Sequence, residues 1–278
     1  MKQKLINLAA VILTFFNIKC NSLFYYPSKE VFYAPETNNI EYREIFLNVN
    51  ESERICAWVF PVENSIGTIV QFHGNAQNMS SHYLSVLWLQ EHGFEIVAFD
   101  YRGYGCSDGE AKKENARADG FTLVNHVLKQ NKKPLYLYGQ SLGGIVLQET
   151  LLQLREDQKR EISGVILEGT FSSYQKIANV KMSESWLTWP FQWLAYILVS
   201  DTGAPNEDLS KLTSNRFLVV HGDQDPVVPF VLGQEIFEKL GSPNKQFLSI
   251  KNGKHIDAFH REFGKYRPDL LQFLKPSR

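Results

Sequence analysis

The chain has 278 residues, 44 % of them hydrophobic, with 29 basic and 30 acidic side chains and a formal net charge of -1. That length and apolar fraction suffice for one large core, and single α/β domains commonly reach this size. So balanced a charge creates no strong field for nucleic acid or an anionic membrane, which excludes partners recognised by bulk charge.

At the N-terminus, Lys2 and Lys4 precede an almost wholly apolar run, Leu5 to Phe16, and polar residues resume at Asn17. This is signal-peptide grammar, and the run is shorter than the ~20 residues that span a bilayer comfortably. Residues 1–20 are therefore read as an export signal or membrane anchor and residues 21–278 as a single domain. Cys20 lies where bacterial lipoprotein precursors carry the cysteine that is acylated, although Asn17-Ile18-Lys19 lacks the small residue normally found before it. Lipidation at Cys20, an uncleaved anchor, and ordinary secretion or a periplasmic location all stay open. After processing only Cys56 and Cys106 would remain, and the sequence does not say whether they meet.

Eight strand-like runs follow, near Glu41 to Val49, Arg54 to Val62, Thr68 to Phe72, Glu95 to Asp100, Leu135 to Tyr138, Gly164 to Leu167, Phe217 to Val220 and Gln246 to Ile250. Helical patterns separate them from the third onward. Such alternation implies a mostly parallel eight-stranded sheet with helices on both faces, so reactive groups should gather at the strands' carboxyl ends. The longest connection, Ser172 to Ser214, is dense in aromatics, including Trp186, Trp189 and Trp193. These could line an acyl groove, touch a bilayer surface or simply pack onto the core.

Gly139-Gln140-Ser141-Leu142-Gly143 comes straight off the fifth strand, and a helical run from Leu142 through Leu154 follows, with Ile145, Leu147 and Leu151 on its apolar face. A serine delivered into a sharp strand-to-helix turn, with glycines two residues to either side, is a nucleophile elbow. Its hydroxyl is a weak nucleophile, so acyl transfer needs a neutral histidine to take the proton and a carboxylate to fix that histidine's tautomer. Asp225, after the seventh strand, is the favoured acid, with Asp223 as rival. His255, after the eighth strand, is the favoured base, and His73, His126, His221 and His260 are less well placed. Charge developing on the substrate carbonyl calls for preorganised N-H donors, and Leu142, opening a helix, offers one.

The segments His73-Gly-Asn-Ala76, Asp100-Tyr-Arg-Gly-Tyr-Gly-Cys-Ser107, Tyr138-Gly-Gln-Ser-Leu-Gly-Gly144, Glu168-Gly-Thr-Phe-Ser-Ser173 and His221-Gly-Asp-Gln-Asp-Pro-Val-Val-Pro229 together resemble the α/β-hydrolase superfamily. More narrowly they resemble its BEM46-like, alpha/beta-hydrolase-domain serine hydrolases, over about residues 40 to 275. The resemblance implies Ser141 as nucleophile, Asp225 as acid and His255 as base, and an oxyanion hole from the backbone N-H groups of Asn75 and Leu142. It also implies that residues 172–214 form a small helical lid, with Trp186, Trp189 and Trp193 as candidates for substrate binding. The expected activity is hydrolysis of carboxylic esters, including acyl lipids, with thioesters and amides open because one triad cleaves all three. Gln140 replaces a charged residue often seen before the nucleophile, which bears on substrate preference. No Walker loop, metal-ligand cluster or dinucleotide fingerprint is present, so no cofactor and no metal is implied, and nucleic acid is not an expected partner. A binding or scaffolding protein on the same fold is the rival class. Dehalogenase or epoxide-hydrolase chemistry is disfavoured because it needs a carboxylate where Ser141 stands.

Overall fold

A computed structural model describes residues 24–130 and 132–275. The Cys20 and N-terminal signal expectations lie outside the described residues.

All eight expected strands form and join one sheet. They are β1 (Arg43–Asn48), β2 (Arg54–Phe60), β3 (Gly67–Phe72), β4 (Phe94–Phe99), β5 (Leu135–Gln140), β6 (Ile162–Glu168), β7 (Phe217–Gly222) and β8 (Lys245–Ile250). Their spatial order is β1-β2-β4-β3-β5-β6-β7-β8. Only the β1–β2 and β2–β4 pairings are antiparallel. Successive side chains of a strand point to opposite faces, and here both faces are covered. In β2, Ile55, Ala57 and Val59 enter one core layer, while Cys56, Trp58 and Phe60 enter the other. The first layer lies under α1 (Lys113–Gln130), α2 (Leu142–Gln153), α3 (Tyr174–Ser183) and α4 (Phe230–Lys239), whose Leu123, Ile145, Ile177 and Ile236 pack into it. The second is closed by the helical stretch from Met79 to His92 and by α5 (Arg267–Phe273), through Tyr83, Leu89 and Leu270.

One helix departs from its sequence pattern. The apolar face expected for α2 is only part of its buried surface, because every residue from Leu142 to Leu151 is buried, Gln148, Glu149 and Thr150 included. The reason is tertiary: α1 packs across the side of α2 that the sheet leaves uncovered.

Cys56 of β2 and Cys106, in the turn after β4, form a disulfide across 50 residues of sequence, with their Cα atoms 5.6 Å apart. Closing that loop in the unfolded chain removes entropy worth about 4 kcal/mol in the chain-entropy account. Replacing both cysteines with serine is expected to lower the unfolding free energy by about 2–4 kcal/mol in urea titration, while dithiothreitol lowers the wild-type value similarly and leaves the double variant unchanged.

Candidate active site

Ser141 occupies the turn between β5 and α2 with φ 53° and ψ -121°, backbone angles that cost a non-glycine residue energy and persist only where the surroundings impose them. The surroundings are identifiable. Ser141 N-H donates to the Glu168 carbonyl at 2.9 Å, and the Thr170 hydroxyl donates to the Ser141 carbonyl at 2.6 Å. A Cβ on Gly139 would stand 2.7 Å from Gly144 Cα, and one on Gly143 would stand 2.0 Å from the Phe72 carbonyl oxygen. Both glycines are needed so that strand, helix and the loop after β3 can close on the serine.

Ser141, His255 and Asp225 come together from the ends of β5, β8 and β7. Ser141 Oγ lies 2.9 Å from His255 Nε2, and His255 Nδ1 lies 2.7 Å from Asp225 Oδ2. A carboxylate can only accept, so Nδ1 carries the proton and Nε2 is free to accept from the serine hydroxyl. Burial would raise the Asp225 pKa, but the hydrogen bond and charge of His255 outweigh it and hold the carboxyl below its ordinary range. The N-H groups of Val227 and Val228 add to this by donating to Asp225 Oδ1 at 2.7 and 2.9 Å. The rival Asp223 is exposed. His221 donates from Nε2 to the Val228 carbonyl at 2.8 Å and so braces the Asp225 turn, while His260 bonds the Ser85 carbonyl at 3.0 Å.

The loop His73-Gly74-Asn75 lies against the elbow, since a Cβ on Gly74 would be 3.7 Å from Ser141 Cβ. Leu142 is the first residue of α2, so its N-H has no intrahelical acceptor. The N-H of Asn75 shares a peptide with the Gly74 carbonyl, which accepts from His73 Nδ1 at 2.7 Å. In a trans peptide the two groups point in opposite directions, so this bond sets where the Asn75 N-H aims. The next carbonyl, that of Asn75, is held by Tyr26 N-H at 3.0 Å and by the Tyr104 hydroxyl at 2.8 Å.

Sequence reasoning gave no role to several of these supports. Asp100, fully buried, lies 3.5 Å from His73 Nε2. Glu168, also fully buried, receives the Tyr138 hydroxyl, Gln140 Nε2 at 2.8 Å and Ala258 N-H at 3.2 Å, tying the elbow strand to the loop that carries His255. Asp100, Tyr104 and Glu168 all sit in segments that the family resemblance singled out. What could have flagged them is a carboxylate or phenol at the end of an apolar strand, where a charged group has to find buried partners. Trp186, Trp189 and Trp193 are 82 %, 59 % and 55 % exposed, so all three present most of their indoles to the outside.

Comparison with known proteins shows the family. The family described as serine aminopeptidase, S33, matches over residues 63–216. The YfhR protein of Escherichia coli K12, itself uncharacterized, is 31 % identical over 262 residues, covering 91 % of this chain and 86 % of its own. The chain belongs to the α/β-hydrolase superfamily. This hydrolase is also 28 % identical over 227 residues to the lysophosphatidylserine lipase ABHD12 of Xenopus tropicalis, covering 77 % of this chain and 58 % of that one. In fold it is similar to an esterase of Pyrococcus furiosus, with a TM-score of 0.69 at 18 % identity, covering 90 % of this chain and 97 % of the esterase.

The His73–Asp100 pair of this hydrolase generates a prediction. Burial pushes His73 from 6.5 down to about 3 and Asp100 from 3.8 up to about 7. Between about pH 4 and 6.5 the folded pair therefore keeps one proton on Asp100 and the unfolded pair keeps one on His73, so the proton count is equal and the pair adds no pH slope. Single substitutions unbalance it in opposite senses. In Asp100→Asn the unfolded state alone binds the proton, and stability falls as pH drops below 6.5. In His73→Gln the folded state alone binds it, and stability is greatest below pH 3.8 and is lost as pH rises through about 7. Denaturation curves across this window are expected to differ from wild type by slopes approaching ~1.4 kcal/mol per pH unit, opposite in sign.

Proposed function

We propose that the protein is an exported serine hydrolase that cleaves carboxylic esters through an acyl-Ser141 intermediate. The observation that carries the reading is the continuous hydrogen-bonded chain from Ser141 Oγ through His255 to Asp225, set on a serine with a left-handed φ. In acylation His255 Nε2 takes the Ser141 proton as Oγ bonds to the ester carbonyl carbon, and negative charge moves onto the carbonyl oxygen. The N-H groups of Leu142 and Asn75 are assigned to stabilise that oxygen, the role in which preorganised donors contribute most. Collapse breaks the bond to the alcohol, which leaves with the proton held by His255. Water then attacks the acyl carbon and gives a proton to His255, after which the acyl–Oγ bond breaks, His255 returns that proton to Ser141 Oγ, and the acid is released. Asp225 stays ionised throughout, holding the imidazole in its productive tautomer.

An ester of apolar acyl character is favoured because residues 185–200, within the segment assigned as a lid, contain no charged side chain. The lipase activity in the name of the ABHD12 relative points the same way. Export is supported by the Cys56–Cys106 disulfide, since such bonds persist in oxidising compartments. The S33 aminopeptidase family name favours a second reading, in which the same triad cleaves an amide.

A fluorophosphonate probe is expected to label wild type and not Ser141→Ala. On p-nitrophenyl acyl esters Ser141→Ala should lose about 10⁴-fold or more in kcat, and Asp225→Asn about 10⁴-fold through the wrong tautomer. Labelling undiminished in Ser141→Ala would refute the assignment. Turnover of aminoacyl p-nitroanilides faster than of every ester would replace it with the amidase reading.

A further inference from the structure

Between Glu184 and Asp201 the chain has no charged residue, and its short helical turns, Trp189–Leu194 and Ala195–Leu198, are fastened from beneath. On α3, Gln175 Nε2 donates to the carbonyls of Tyr196 and Val199 at 3.1 and 2.9 Å, and Asn179 Nδ2 donates to the Gln192 carbonyl at 3.0 Å. Ala195 and Val199 turn inward and are buried. The polar inner connections leave the outer side to Trp186, Leu187, Trp189, Phe191, Trp193 and Ile197, each more than half exposed. Each aromatic ring system carries roughly 150–250 Å² of burial capacity. Six such apolar side chains within twelve consecutive residues are a denser exposure than the single scattered hydrophobics of an ordinary surface.

What covers this face can be argued from its composition and its position. Tryptophan with tyrosine, phenylalanine and aliphatic neighbours is the composition of a membrane–water interface, where an indole buries its ring and keeps its N-H near the headgroups. Without lysine or arginine in the patch, the attraction does not depend on anionic lipid. The position is set by the start of the described chain. The Phe24 ring lies 5.2 Å from that of Tyr174, and the Tyr25 and Tyr174 hydroxyls are 3.1 Å apart. Tyr174 opens the helix whose next residue, Gln175, clamps the patch. The apolar run Leu5 to Phe16 ends eight residues before Phe24, a stretch that spans at most about 29 Å when fully extended. Any membrane attachment of that run holds the patch within reach of the same bilayer. Among the described residues no helix is long and apolar enough to cross a membrane, so the patch can lie on the surface and not span it.

We infer that residues 186–198 form a membrane contact, a plate that inserts into the interface of a neutral phospholipid bilayer. The inference extends the ester-hydrolase reading to the source of its substrate, acyl lipid drawn from that bilayer, and rests on that reading only for this consequence.

Three of the five tryptophans lie in the plate, whereas Trp58 and Trp88 are buried in the core, so intrinsic fluorescence reports on it directly. The full chain is mixed with phosphatidylcholine vesicles whose acyl chains carry bromine at a shallow or a deep carbon. The expected result is a blue shift and stronger quenching by the shallow label. Both should be lost in a Leu187→Asp, Phe191→Asp, Ile197→Asp variant, which keeps all three reporter tryptophans, its near-ultraviolet circular dichroism and its thermal midpoint. Should that variant not fold, Leu187→Asp alone, at the most exposed aliphatic position of the plate, is expected to lower the quenching. Unquenched emission from vesicle-bound wild type, or quenching undiminished in the folded aspartate variants, would overturn the inference. So would a blue shift that grows with protein concentration in the absence of lipid, which would make a second copy of the chain the occupant. Ser141→Ala is expected to quench like wild type, so failure of the hydrolase reading would leave this result standing and the two are separable.

Discussion

A serine held at positive φ between a parallel strand and a helix buried from Leu142 to Leu151 is the constraint on which the rest of the arrangement depends. That backbone state is unfavourable in isolation and survives because several tertiary contacts impose it together. The carbonyl of Glu168 fixes the serine N-H, the hydroxyl of Thr170 fixes its carbonyl, and the absence of side chains at Gly139 and Gly143 lets β3, β5 and α2 approach to backbone contact. The Ser141 hydroxyl then stands at the sheet's carboxyl edge, where the turns after β7 and β8 deliver Asp225 and His255.

Around this constraint lies a set of buried polar groups that join elements distant in sequence. Glu168 connects the elbow strand, through Tyr138 and Gln140, to the N-H of Ala258 just past His255. Gln140 in turn accepts from Gln71 of β3 at 2.9 Å and from Ser85 at 2.9 Å. Buried polar groups are costly unless satisfied, so each of these bonds fixes a geometry as well as contributing stability. The segment Tyr26–Pro27, paired in parallel with Ala76–Gln77, does the same for the loop after β3. The chain's described N-terminal residues therefore touch both the proposed oxyanion loop and, through Tyr25, the start of α3. A disturbance of the N-terminal strap reaches two parts of the site at once.

The apolar surface on residues 186–198 and the polar clamps beneath it express one division of labour. Side-chain amides of α3 satisfy the carbonyls of short helical turns that lack a full set of internal bonds. Freed of that task, the outward side chains can be uniformly apolar. Clustered exposed apolar side chains of this kind mark interaction surfaces, and this is the physical basis for assigning the segment to an interface.

The strand-and-helix alternation was legible because each strand is a compact apolar run and each turn is marked by glycine, proline or aspartate, local signals that act within a few residues. The same locality made the elbow readable, since strain and small neighbours are both encoded within Gly139 to Gly143. The order of Ser141, Asp225 and His255 followed from which strand each one ends. Tertiary structure alone decided what depends on distance between strands. It chose Asp225 over the exposed Asp223, brought Cys56 to Cys106, and placed Asp100 beside His73 and Glu168 behind the serine. It also buried α2 on every side, because α1 happens to cross it, and left the tryptophans of residues 186–198 outside. A sequence pattern records which side chains avoid water; which partner each one meets is set by the sheet order, and that order is not written in any single segment.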